Sequence, residues 1–288
     1  MQRALLEVII VGVVCGLVGC FVVLRGLAFI GDALAHAVFP GVVLSYIADR
    51  SILLGAFVFG SLTSIGIGFL SRSRRVSEDS AIGVLFVASF ALGVVLVSRQ
   101  AGFRRDLSSL LFGNILGVSR TDVLVTLAVG AVIVAILFAL LKEFTLIAFD
   151  STMAKAIGYP VFALDILLLL LVSATIVVSL QTVGNILVLA LIVTPPATAR
   201  LLTDRLSILM ALSAALAVVA GVLGLYISFH AETAGGATIV LTSTAMFLLA
   251  LVLAPNHGLL TGWLQERRGA HHVHHYHPQT EEEEHAQA

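Results

Sequence analysis

The chain has 288 residues, a formal charge of −1 from 16 basic and 17 acidic side chains, and 59% hydrophobic against 11% charged residues. A soluble chain carries about 45–50% apolar residues with glycine included and about 25% charged ones, so water is not the main solvent here. Near-neutral charge excludes the basic excess of a nucleic-acid binder, and the apolar content excludes disorder over most of the length.

A membrane helix needs about 20 mostly apolar residues. The first such run, residues 5–24, is longer than the apolar region of a signal peptide and lacks a strongly charged start, so it reads as a membrane helix. It holds both cysteines, Cys15 and Cys20, whose spacing puts them on different helix faces as small core residues. Gly12, Gly16 and Gly19 in the same run form a small-residue packing face. Further candidate spans follow at 34–48, 52–70, 81–97, 123–141, 162–180, 186–199, 208–229 and 237–253. The prediction is an all-α fold, a polytopic membrane helix bundle of eight or nine spans with short interrupted helices. Segments 34–48 and 186–199 are the short ones, and Thr194-Pro195-Pro196 is expected to break the second. Broken helices at membrane depth are tolerated where they pack in protein or line a cavity, so these two mark a pathway.

Residues 1–262 form the transmembrane domain by this reading. The remaining residues, 263–288, change abruptly to a His-rich and acidic composition with no apolar surface to bury, and are expected to be disordered. Within that tail His271, His272, His274, His275 and His277 are a plausible zinc or nickel binder, with an engineered tag as the competing explanation. Lys and Arg in short loops set orientation. Arg72, Arg74 and Arg75, then Lys142 and Lys155, then Arg200 and Arg205 fall in alternate loops and share a side, assigned as cytoplasmic. The three arginines between 99 and 105 fall on the opposite side, and the N-terminal side stays open because a ninth crossing reverses it.

Ionisable groups within apolar spans cost about 2.5–3.5 kcal/mol on insertion scales and are functional candidates by default. In Gly31-Asp32-Ala33-Leu34-Ala35-His36 a carboxylate and an imidazole lie four apart on one helix face. Together they form a partial shell for a divalent first-row transition ion. The competing reading is an aspartate capping backbone donors, with His36 hydrogen-bonded inside the bundle. A second polar patch, His230 and Glu232 before Gly235 and Gly236, offers the same ligand types, or is a solvated turn. Between spans, Asp150 or Ser151 can start a short helix through Ala154 and Lys155 that Gly158 ends before Pro160. Such a helix is either a docking surface for another protein or an inert connector. No enzyme constellation is present: there is no GxxxxGK[ST], and the only lysines, Lys142 and Lys155, sit in no phosphate loop, so any ATP must be hydrolysed by a partner.

These residues lie in segments that resemble the permease subunit of the manganese, zinc and iron branch of ATP-binding-cassette importers. The resemblance is carried by Leu27-Ala28-Phe29-Ile30-Gly31-Asp32-Ala33-Leu34-Ala35-His36-Ala37-Val38-Phe39-Pro40-Gly41, by Glu78-Asp79-Ser80-Ala81-Ile82-Gly83, by Leu111-Phe112-Gly113-Asn114, by 149–160, and by Val183-Gly184-Asn185 with Thr194-Pro195-Pro196-Ala197-Thr198-Ala199-Arg200. It implies a multi-pass protein of a cell inner membrane that is a transport subunit, not an enzyme, and holds no permanent cofactor. The transported ion would be Mn2+, Zn2+ or Fe2+. The implied partners are a second copy of the chain, a cytoplasmic ATPase and an extracytoplasmic metal-binding protein. Asp32 and His36 fall on the family's pathway positions by the same resemblance, and 149–160 on its coupling loop. Glu232-Thr233-Ala234-Gly235-Gly236 departs from the aspartate and proline of many members, and its glycines look more like the manganese type. Rival functions are a permease for a chelated metal, of siderophore or cobalamin type, and more distantly a membrane-embedded metalloenzyme. A large chelate needs aromatic and arginine contacts, and the scarcity of Trp and Tyr favours the bare ion.

Overall fold

A computed structural model describes residues 1–72, 76–98 and 115–254. Among these, nine helical stretches are long and apolar enough to cross a membrane. They are α1 (Gln2–Leu24), the pair α2 (Ile30–Ala37) and α3 (Phe39–Ile47), α4 (Ile52–Ser71), α5 (Glu78–Ser98), α6 (Arg120–Ala139), α9 (Val161–Val183), α10 (Asn185–Leu202), α11 (Leu206–Ala231) and α12 (Gly235–Leu253). Two short helices, α7 (Leu141–Phe149) and α8 (Ser151–Ala156), lie between α6 and α9. Two expectations about the short segments need amending. Segment 34–48 belongs to a longer 18-residue span, α2 plus α3, interrupted at Val38. Pro40 in the first turn of α3 causes that break, since it has no N–H to give to the His36 carbonyl.

The expected break at Pro195 and Pro196 does not occur, and α10 runs through both prolines. Without their N–H groups the carbonyls of Leu191 and Ile192 lose their helical donors. Tight packing holds the helix in line there. Gly19 of α1 lies so close that a Cβ would run into the Ile192 carbonyl and the Pro196 ring. One turn on, the Thr198 hydroxyl donates to the Thr194 carbonyl at 2.7 Å.

Helix α1 is the central post, packed against α11, α10, α6 and α9. Lipid tails are as apolar as leucine, so helices in a membrane associate through close packing and internal hydrogen bonds. The expected glycine face does this work. Gly16 lies on Ala214, Gly12 on Ala217, and the Ser213 hydroxyl donates to the Gly16 carbonyl at 2.8 Å. Cys15 and Cys20 are free and buried in this core. Glu7, also buried, accepts a 2.8 Å hydrogen bond from the Thr126 hydroxyl of α6. The post ends in a Schellman motif: Gly26, at φ +71°, lets its N–H reach Val23 O and the Leu27 N–H reach Val22 O. That reversal turns the chain into α2.

Candidate metal pathway and docking face

Helix α2 starts after Phe29 with no side-chain cap, so capping is not what holds Asp32. Its carboxylate instead faces His36 one turn on, with Nε2 and Oδ1 3.5 Å apart. Both side chains are about one third exposed, at 34% and 28%. Asp32 also borders a recess of about 610 Å³ whose other walls are apolar except for Thr194, among them Phe29, Leu189 and Val193 of α10, and Val240 of α12. A carboxylate that borders a largely apolar recess and an imidazole one turn on, within an interrupted span, offer an oxygen and a nitrogen to a cation that has shed part of its water. Asp32 in the first turn of α2 also meets the positive end of its dipole.

On its other side His36 meets aromatic rings of α5. Its centroid lies 5.7 Å from that of Phe86 and 5.6 Å from that of Phe90. Nothing in the sequence singles out these phenylalanines, because Phe at four-residue spacing in an apolar run looks like ordinary lipid-facing or core material.

The second polar patch is elsewhere. His230, the penultimate residue of α11, is exposed, packs on the Tyr226 ring at 4.2 Å between centroids, and contacts the Tyr226 carbonyl through Nδ1 at 3.0 Å. Glu232 caps α11 in the left-handed region at φ 52°, within a turn closed by the Ser228 hydroxyl donating to the Thr233 carbonyl at 2.6 Å. Among the described residues no three His, Cys, Asp or Glu side chains gather as a metal cage. The structure therefore pairs Asp32 with His36, and does not bring His230 and Glu232 to them within one chain.

The short helix forms as its sequence signals predict. Asp150 Oδ1 accepts from the Met153 N–H at 2.8 Å at the start, and Gly158 at φ +90° closes a second Schellman motif, with Tyr159 N–H reaching Ala154 O at 3.0 Å. Ser151, Lys155 and Gly158 are exposed. Ala154, however, is 0% exposed and packs into the chain's own core, while Met153 and Ile157 stand out at 55% and 56%. Ala154 thus anchors α8, and its outer face belongs to Met153 and Ile157. Beside α8 a cavity of about 760 Å³ gathers Arg25, Arg72, Glu78, Lys155 and Asp165. Arg25 Nη1 donates to Asp165 Oδ1 at 2.8 Å, and the Arg72 guanidinium lies over the Phe162 ring at 5.2 Å. His271, His272, His274, His275 and His277 lie outside the described residues, as do Arg74 and Arg75.

Known proteins fit this architecture along nearly the whole chain. The pattern of the ABC 3 transport family matches residues 1–254. The "Manganese transport system membrane protein MntC" of Halalkalibacterium halodurans is 46% identical, covering 93% of this chain and 92% of its own. The "Chelated iron transport system membrane protein YfeD" of Yersinia pestis is 40% identical over 88% of this chain and 84% of its own. Among solved structures, "PsaBC from Streptococcus pneumoniae in complex with Fab" superposes with a TM-score of 0.80 at 39% identity, covering 92% of this chain and 94% of that one. With its apolar helices and these bacterial relatives, the chain is a multi-pass inner-membrane protein. By the extent of these matches it belongs to the ABC 3 transport family.

Proposed function

We propose that this chain is the permease subunit of an ATP-driven importer of bare divalent transition-metal ions, manganese first, with zinc and iron as competing ions. The observation that carries the reading is the Asp32–His36 pair, two ligand types 3.5 Å apart beside an interrupted span. Manganese accepts carboxylate and water in its shell, whereas zinc holds imidazole more strongly, so a mixed and incomplete set suits manganese that must also leave. The relative named for manganese at 46% identity supports the same ion. Two ligands are few for any ion, and a second copy of the chain facing the first would double them. The largely aliphatic walls around Asp32 speak for a bare ion over a chelate.

Arg25, Arg72 and Lys155 line one end of the bundle, and a concentration of Lys and Arg at one end supports a cytoplasmic assignment for it. Nine crossings then place residue 1 on the outer face. A separate ATPase docks on the outer face of α8 at this cytoplasmic end. His230 and Glu232 lie at the outer end, where an extracytoplasmic metal-binding protein hands over the ion.

The test is uptake of radioactive manganese by cells or vesicles. Asp32→Asn keeps the size and removes the charge; His36→Ala removes the nitrogen. Each should cut uptake at least about tenfold, the equivalent of about 1.4 kcal/mol, while chain and ATPase still assemble. Full uptake by the double variant would sink the site, and competition by zinc and ferrous ions ranks the cargo.

A further inference from the structure

The His36 side chain is oriented from outside its own helix. Helix α5 presents Phe86 and Phe90, four residues apart and so on one face, toward α2. The imidazole rests against both rings, tilted 46° to Phe86 and nearly edge-on, at 76°, to Phe90. The two phenyls lean on each other at 6.4 Å between centroids. Each is braced further by a residue at one end of α2. Phe29, just before α2, meets Phe86 in a T-shape at 6.4 Å and 88°. Phe39, just after α2, meets Phe90 at 5.8 Å. Phe39 is in turn seated on Gly93 of α5, where any Cβ would collide with its ring. Four phenyl rings thus run alongside α2, fixed at both ends, with the histidine against the middle two.

We propose that Phe86 and Phe90 are positioning residues for metal transport: their rings hold the His36 imidazole in the orientation that keeps Nε2 on the Asp32 side. Aromatic packing selects ring orientation because the positive ring edge seeks a neighbour's negative face, a preference an aliphatic side chain of similar bulk does not have. Freed of the rings, the imidazole gains other rotamers, and each ion that binds must first restore the ligating one. The penalty falls on affinity rather than on the later steps of transport. This inference rests on the reading of Asp32 and His36 as metal ligands.

The assembled transporter with its ATPase, in vesicles, gives the test, with manganese uptake measured across concentration. Phe90→Leu and Phe86→Leu keep apolar bulk and discard the aromatic edge and face; Phe90→Tyr and Phe86→Tyr keep them. The leucine variants should raise half-saturating manganese by about five- to tenfold with the maximal rate unchanged, and the tyrosine variants should stay within about twofold of the parent. Phe90 is 37% exposed, so its single replacement leaves the core intact. Unchanged half-saturation in both leucine variants would overturn the proposal. So would a fall in maximal rate alone, a tyrosine variant as impaired as its leucine counterpart, or a Phe90→Leu chain that fails to insert, since each of these makes the ring a packing element only. Undiminished uptake by His36→Ala is a different result: it removes the metal reading itself, whatever the phenylalanine variants do.

Discussion

At the scale of single residues, a tight steric constraint lies at Gly19. In the sequence it is one more glycine among 25, part of a spacing common in membrane helices. In the folded chain it is the point where α1 touches the backbone of α10 at its two prolines. A methyl group there meets a carbonyl oxygen of a packed helix, which cannot swing aside as a side-chain tip would. Gly19→Ala should therefore destabilise the chain by about 1–3 kcal/mol, the usual cost of overpacking, and lower its melting temperature in detergent. Gly83→Ala is the control, because nothing lies within 4 Å of the added atom. Equal melting temperatures for the two variants would show that the α1–α10 contact yields freely. Asp32 was legible at this scale because charge in an apolar run is rare and costly. Phe86 and Phe90 were not, because an aromatic residue in such a run announces nothing until its neighbour across the helix gap is known.

At the scale of elements, hydropathy located the spans well, since the bilayer fixes how long an apolar run must be. The errors came where tertiary packing overrides a local rule. Two prolines break an isolated helix, yet α10 continues through Pro195 and Pro196 with α1 packed against it. Residues 141–149 carry Lys142 and Glu143 and look like a loop, but they fold as α7, which buries Phe144 and Ile147 and leaves Lys142 and Phe149 exposed. Helix α8 was legible from its capping signals, but not which of its faces turns inward. Six residues make under two turns, too few for a periodicity to show. Burial of Ala154 fixes that face, and so decides which substitution probes docking. Met153→Asp and Ile157→Asp place a charge on the exposed side, and each should reduce ATPase co-purification while the chain still inserts, because an unpaired charge buried in an interface is costly. Ala154→Asp instead buries the charge inside the chain and should lower the yield of folded protein. An ATPase that co-purifies normally with the Met153→Asp, Ile157→Asp double variant would remove α8 from the contact.

At the scale of the whole molecule, the α8 end of the bundle and the Asp32–His36 pair are joined by a short covalent and ionic route. Helix α8 leads through Gly158 and Pro160 into α9, whose second turn carries Asp165. Asp165 holds Arg25 at 2.8 Å, and Arg25 closes α1 immediately before the Gly26 reversal into α2, the helix of Asp32 and His36. The partners are 140 residues apart in the chain, which is why neither was singled out from sequence. Their side chains are 14% and 28% exposed, so the pair is partly screened and stranding one charge should cost less than the about 3–5 kcal/mol of a fully buried pair. If an ATPase docks on α8 as proposed, its displacement of α8 would pull on α1 and α2 through one ion pair, and that makes charge exchange an informative experiment. Arg25→Asp alone places two carboxylates together, with Glu78 also on the same cavity, and should lose both stability and metal-coupled ATP hydrolysis. Arg25→Asp combined with Asp165→Arg restores opposite charges across the same gap. If the pair transmits the motion, the double exchange should recover a substantial part of manganese uptake per ATP hydrolysed, whereas each single exchange should not. Recovery of melting temperature without recovery of that ratio would make the bridge a structural tie between α1 and α9, with transmission running through the apolar contacts of those helices.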